Sequence, residues 1–186
     1  MRKIVAWLFV TLDGVVESPE EWVLYNDEIG EAISAHSDAA DTLLLGRHTY
    51  EVFADSWPQR SVEDDPFADW MNNTPKVVAS TTLEHLDWQN STLIKGELAP
   101  ELRKLKAEPG QNILVNGSPT LIRSLLRENL LDELQLFVHP VIAGTGKRLF
   151  DDSSTPMSLR VIESRTLDNG VLALTYEPLG DANSAG

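Results

Sequence analysis

The sequence predicts an α/β fold with a mainly parallel central sheet and an antiparallel edge made from a C-terminal hairpin. Three observations carry this. Strand-like runs alternate with helix-like segments as far as about residue 140, the pattern of a parallel sheet with helical crossovers. Beyond that point strands follow one another directly. Finally, Asp168-Asn169-Gly170 is strong turn chemistry between the runs 158–166 and 171–177, which it closes into a hairpin.

Taken in order, residues 4–12 (IVAWLFVTL) are continuously apolar, β-branched and aromatic, as a strand buried on both faces requires. Asp13-Gly14 ends that strand, and residues 15–22, with Pro19 and three glutamates, read as a loop. Asn26 or Asp27 caps a helix that carries Ile29, Ala32, Ile33 and His36 at helical spacing. Residues 42–45 form a short strand before Gly46-Arg47-His48-Thr49, and residues 50–53 make at least one helical turn. Residues 55–66 read as a polar loop, 76–80 as a strand and 92–94 as a short one. Residues 98–107 are helical, with Pro100 near the start where proline is tolerated. The strand 112–116 leads into a helix with Ser118 as N-cap and Pro119 at its first position. Leu121, Ile122, Leu125 and Leu126 give that helix its apolar face. Residues 134–138 are a strand, 1–179 are read as one domain, and 180–186 as a flexible tail.

A hydrophobic share of 42% belongs to a chain that builds a core. A formal net charge of −14 repels phosphate backbones and anionic lipid, so neither nucleic acid nor membrane is an expected partner. It does not exclude a dinucleotide, because local cations and backbone N–H groups bind phosphates. The absence of cysteine removes disulfides, thiolate metal sites and cysteine nucleophiles. His36, His48, His85 and His139 show no metal-ligand spacing, so no metal is expected. The apolar run after Met1-Arg2-Lys3 is short and followed by Asp13, which fits a buried first strand better than a signal peptide; the cytoplasm is the expected compartment.

Four segments carry candidate chemistry. Gly46-Arg47-His48-Thr49 ends a strand and opens a helix, offering free N–H groups, a guanidinium fork and a hydroxyl to a phosphate. The bland alternative is a strand-to-helix turn with a surface arginine. Ser80, Thr81 and Thr82 follow a strand and either meet a ribose or phosphate or serve as turn residues. Asn116-Gly117-Ser118-Pro119-Thr120 runs from strand to glycine to helix, which suits a pyrophosphate, or is simply a well-capped helix. Gly144-Thr145-Gly146-Lys147-Arg148 is a basic glycine-rich stretch, again either a phosphate contact or a plain loop. The five tryptophans are read as core or pocket lining.

In the order TLDG, LLLGRHTYE, KVVASTT, ILVNGSPTLIRSLL and DELQLFVHPVIAGTGKRLF, these segments resemble the C-terminal reductase domain of the riboflavin-biosynthesis deaminase/reductase family. The resemblance extends over roughly residues 3 to 177 and implies the dihydrofolate-reductase-like, three-layer αβα fold. It implies NADPH as hydride donor. By it, Arg47, His48 and Thr49 line the adenosine-phosphate side, and Ser80 and Thr81 sit near the ribose 2′-phosphate. Gly117, Ser118, Pro119 and Thr120 meet the pyrophosphate, and Asp13 and Gly14 lie in the loop over nicotinamide and substrate. Departures are Asn116-Gly117 in place of the family's paired glycine, and no segment matching the deaminase domain that often accompanies this reductase. The carboxylate that holds a pterin in dihydrofolate reductases has no counterpart in register; Gly30 falls there, flanked by Glu28 and Glu31.

The expectation is therefore an NADPH-dependent reductase, acting on a C=N or C=O carbon of a pyrimidine-like, pterin-like or sugar-phosphate substrate. Reduction of a ribosylaminopyrimidine to its ribityl form is one version. Asp13 and Glu28 are the candidate proton-handling groups, although the role expected first for Glu28 is on a solvated helix face. The rivals are a non-catalytic nucleotide-binding or regulatory protein on the same fold, an old dinucleotide site now holding another ligand, and a pterin reductase. The hairpin edge offers unpaired backbone groups, from which a homodimer is expected.

Overall fold

A computed structural model describes residues 1–151, 154 and 156–180. Eight strands form one sheet in the order β4-β3-β2-β5-β1-β6-β8-β7. β1 (Ile4–Thr11) lies near the centre, paired in parallel with β5 (Asn112–Asn116) on one side and β6 (Glu133–His139) on the other. β2 (Ala40–Gly46), β3 (Lys76–Ala79) and β4 (Ser91–Ile94) extend the parallel region beyond β5. The hairpin β7 (Leu159–Thr166) and β8 (Leu172–Pro178) completes the sheet antiparallel to β6, as the turn at Asp168-Asn169-Gly170 demands.

The strand period of two explains the three layers. Along β1, Val5 and Trp7 enter one core cluster while Ile4, Ala6 and Leu8 enter the other. The first cluster packs against α1 (Asp27–Asp38), α2 (Arg47–Ser56) and α3 (Ala68–Asn73) through Ile29, Ile33, Tyr50 and Met71. The second packs against α4 (Leu98–Ala107) and α5 (Pro119–Arg127) through Leu102, Leu121, Ile122, Leu125 and Leu126. Both faces of the central strands are thus covered, which is why β1 reads as an unbroken apolar run.

Several local expectations are sharpened or corrected. Asn26, rather than Asp27, caps α1, its side chain accepting the Ile29 amide at 3.1 Å. α2 continues to Ser56, beyond the turn predicted at 50–53 and into the region read as loop. α3 is missing from the sequence reading; it is six residues long, and its buried residues Ala68 and Met71 are three apart. The tail expected from residue 180 lies, apart from Gly180, outside the described residues. No helix among the described residues is long and apolar enough to cross a membrane.

Among the described residues three arginine or lysine side chains, Arg2, Lys76 and Lys106, are buried, the last paired with Asp132. Arg2 pairs with Asp41 and donates to Thr42 Oγ1 and to the Gln111 carbonyl, tying the chain ahead of β1 to the starts of β2 and β5. Lys76, 1% exposed, donates to the carbonyls of Asn72, Thr74 and Gln89 and lies over the Trp88 ring at 4.3 Å. Burial pushes its pKa down to about 8.

Leu44, fully buried at the middle of β2, joins the α4/α5 face to the sheet. Leu44→Ala is expected to lower unfolding free energy by about 2–5 kcal/mol, read from urea denaturation with an unchanged slope.

Candidate functional site

Six neighbouring strands run in parallel, so their carboxyl ends share one edge of the sheet, the side on which open α/β folds bind ligands. Gly46-Thr49 leaves β2, Ser80-Thr81 leaves β3, Asn116-Thr120 leaves β5, and Asp13-Gly14 follows β1. Adjacency of β3, β2, β5 and β1 brings these four segments, distant in sequence, to contiguous positions.

β2 and β5 each open a helix at this edge, α2 and α5, and the two starts are joined through Ser118. Its Oγ accepts the Gly46 amide at 3.0 Å and lies 2.6 Å from Thr49 Oγ1. A Cβ on Gly46 would lie 2.7 Å from Ser118 Oγ, so close packing here requires glycine. Gly117 and Ser118 both have positive φ, 74° and 58°. Ser118 occupies the N-cap position of α5 as predicted, but in this left-handed conformation its side chain makes no capping bond and reaches across to Gly46 and Thr49 instead. Pro119 does occupy the first helical position, as predicted.

The other predicted contacts surround this junction. Arg47 and His48 are exposed; Arg47 forms an i,i+4 pair with Glu51 at 3.2 Å, a weak surface contact that leaves the guanidinium available. Ser80 Oγ accepts the amides of Thr82 and Leu83, the turn role weighed for it, and Thr81 is exposed. Thr120 is exposed beside the Arg123 guanidinium. Asn116 is half-buried and pairs in register with Trp7.

Asp13 is held differently. Its carboxylate accepts from Thr11 Oγ1 at 2.6 Å, the Ala143 amide at 3.1 Å and the Gly144 amide at 2.8 Å. The Thr11 hydrogen bond and then the two amides hold its pKa down to about 2, so it is ionised at neutral pH and carries no proton to donate. This explains the glycine-rich loop: the amides of Ala143 and Gly144 face Asp13, and that of Lys147 donates to Glu17. Glu28 accepts the Asp168 amide at 2.7 Å and pairs with Arg165. The amide bond and then the arginine charge lower its pKa. It anchors the β7–β8 turn to α1, so the expected solvated face is corrected.

On the α1–α3 side a cavity of about 450 Å³ adjoins Asn116. Trp7, Phe9, Tyr25, Trp57, Phe67 and Trp70 line it, with Asp64 and Asp65. Neither Asp13 nor Glu28 is part of this lining. A Cβ on Gly30 would lie 2.8 Å from the Tyr25 hydroxyl, so glycine at that α1 position makes room for the tyrosine. Trp7 Nε1 is buried without a hydrogen-bond partner. Apart from Asn116 and the general reading of tryptophans as lining, sequence reasoning missed this pocket; the aromatic residues in 53–71 were the available signal.

An eight-stranded, mostly parallel αβα sheet with an antiparallel edge and this glycine-bearing carboxyl side is the dihydrofolate-reductase-like class of fold. The chain belongs to the RibD C-terminal domain family, whose sequence model matches residues 2–173. It is 31% identical over 180 residues to the uncharacterized protein YyaP of Bacillus subtilis (strain 168), with 94% of each chain covered. Among solved structures it is similar to a candidate riboflavin biosynthesis protein from Shewanella sp. PV-4, with a TM-score of 0.77, 24% identity, and 96% and 99% of the two chains covered. It is also similar to the diaminohydroxyphosphoribosylaminopyrimidine deaminase/5-amino-6-(5-phosphoribosylamino)uracil reductase of Thermotoga maritima. There the TM-score is 0.68 at 17% identity, covering 96% of this chain and 57% of that one. Membership of that family suggests an oxidoreductase; the solved relatives, at 24% identity or less, show the fold.

The clamp on Asp13 has a pH signature. Its folded pKa, about 2, lies below the ordinary 3.8, so its stabilising contribution is complete above 3.8 and is lost as pH falls toward 2. In acid denaturation Asp13→Asn is expected to show a shallower loss of stability across that window than the wild type.

Proposed function

We propose that the protein is an NADPH-dependent reductase whose cofactor lies along the carboxyl ends of β2, β3 and β5. The observation that carries this reading is the junction of the α2 and α5 starts through Ser118. Two helix N-termini, with their free N–H groups and positive partial charge, sit side by side next to an exposed arginine. The residues fit a dinucleotide phosphate: Gly117 carries no side chain to block approach, and Arg47 has the planar fork that phosphate favours.

In this reading Gly46, Arg47, His48 and Thr49 hold the adenosine-phosphate end. Ser80 and Thr81 face the ribose 2′-phosphate, and Asn116, Gly117, Ser118, Pro119 and Thr120 cradle the pyrophosphate. When bound, NADPH supplies a hydride for the C=N or C=O carbon of a substrate in the neighbouring pocket. Asp13, ionised and clamped, ties the end of β1 to the Ala143-Gly144 turn that follows β6, and Glu28 fixes α1 against the hairpin; neither stores the proton the reduction needs, which solvent delivers.

Titration with NADPH and NADH, followed by nicotinamide fluorescence, tests the reading. NADPH is expected to bind more tightly than NADH. Arg47→Ala is expected to weaken NADPH binding by about 1.5–3 kcal/mol, the range for a hydrogen bond to a charged group. Equal affinity for the two nucleotides would overturn the 2′-phosphate assignment of Ser80 and Thr81, and an unchanged affinity in a folded Arg47→Ala variant would overturn the assignment of Arg47.

A further inference from the structure

The pocket beside Asn116 has a composition that restricts what enters it. Six aromatic rings form its walls, and rings of this kind favour flat, conjugated ligands that stack or meet them edge-on. The carboxylates in the lining are Asp64 and Asp65, and no lysine, arginine or histidine is among the described lining residues. Asp64 is fixed by the Ser61 amide and hydroxyl, which lower its pKa and keep it charged. Asp65 accepts the Phe67 amide at 2.9 Å.

The nearby cation is already engaged. Arg60 lies 3.4 Å from Asp65 and stacks on Trp57 at 4.8 Å. With Arg60 counted, Asp64 and Asp65 still leave this side of the pocket with a net negative charge. A phosphate placed here meets two carboxylates and finds no free cation to pair with, an arrangement that rejects anions.

We infer that the substrate pocket takes a flat heterocycle that is neutral or positively charged and bears no phosphate, unlike the phosphoribosylamino compound named for the Thermotoga maritima relative. This rests on the reductase reading for the chemistry: hydride passes from NADPH to the electrophilic carbon of a C=N or C=O bond, and a solvent proton joins the nitrogen or oxygen. NADP⁺ and the saturated C–N or C–O product result. The charge selection itself depends only on the pocket.

The test uses matched pairs: riboflavin and its 5′-phosphate, pyridoxine and its 5′-phosphate, and thiamine and its monophosphate. Binding is followed by tryptophan fluorescence, with and without saturating NADP⁺ so that phosphate cannot occupy the cofactor cradle unnoticed. In every pair that binds, the unphosphorylated member is expected to bind about tenfold or more tightly. Replacing both acids, Asp64→Asn with Asp65→Asn, is expected to shrink that preference severalfold. A phosphorylated member binding equally or more tightly, an unchanged preference in the double variant, or no binding by any pair at millimolar concentration overturns the inference. Failure of NADP⁺ to bind overturns the cofactor reading instead, and the charge preference is then read from the titrations without it.

Discussion

The Ser118 hydroxyl accepts the Gly46 amide and meets the Thr49 hydroxyl, joining segments 69 to 72 residues apart. The candidate site depends on this contact. It holds the starts of α2 and α5 together, and it exists because Gly46 has no Cβ and because Ser118 adopts a positive φ. A hydroxyl with two partners in a nearly buried position fixes the spacing of the two helix starts more firmly than either strand end alone. The proposed cradle is therefore preorganised by the protein's own contacts.

The sheet supplies the frame for this contact, and carboxylates fasten its edges. Asp13 and Glu28 act across 130 to 140 residues of chain, binding backbone amides of the Ala143-Gly144 turn and of Asp168. A carboxylate paired with backbone N–H groups is a charge-assisted anchor, and its low pKa is a consequence of that work. The acidity of the chain thus divides into parts with different roles: anchors at the loop and hairpin, and Asp64 and Asp65 at the aromatic pocket. In the proposed reading the same sheet edge offers a phosphate-accepting side at α2 and α5 and an anion-rejecting side beside Asn116.

Much of the fold was legible because it rests on local patterns. The apolar run of β1, the Pro119 start of α5 and the Asp168-Asn169-Gly170 turn each have a physical meaning that neighbours alone establish. The strand, glycine and helix that follow one another at 44–49 and 114–121, where the cradle is proposed, were legible for the same reason. Their bond to each other was not, because φ at Ser118 and a contact 72 residues away leave no local trace. α3 escaped because a six-residue helix between Pro66 and Pro75 is too short to establish a period. The pocket escaped because its rings come from β1, the loop before α1, the end of α2, and α3 with the residue before it. Asp13 and Glu28 were found as residues, but their partners, and hence their work, lie far along the chain.

The central claim is that the junction of the α2 and α5 starts receives the dinucleotide phosphates. Amide chemical-shift mapping of the labelled protein during addition of NADPH tests it most directly. The account predicts large shifts at Gly46, Arg47, Thr49, Gly117 and Thr120, with smaller ones at Ser80 and Thr81. Shifts confined to other surfaces, or none at saturating nucleotide, would contradict it.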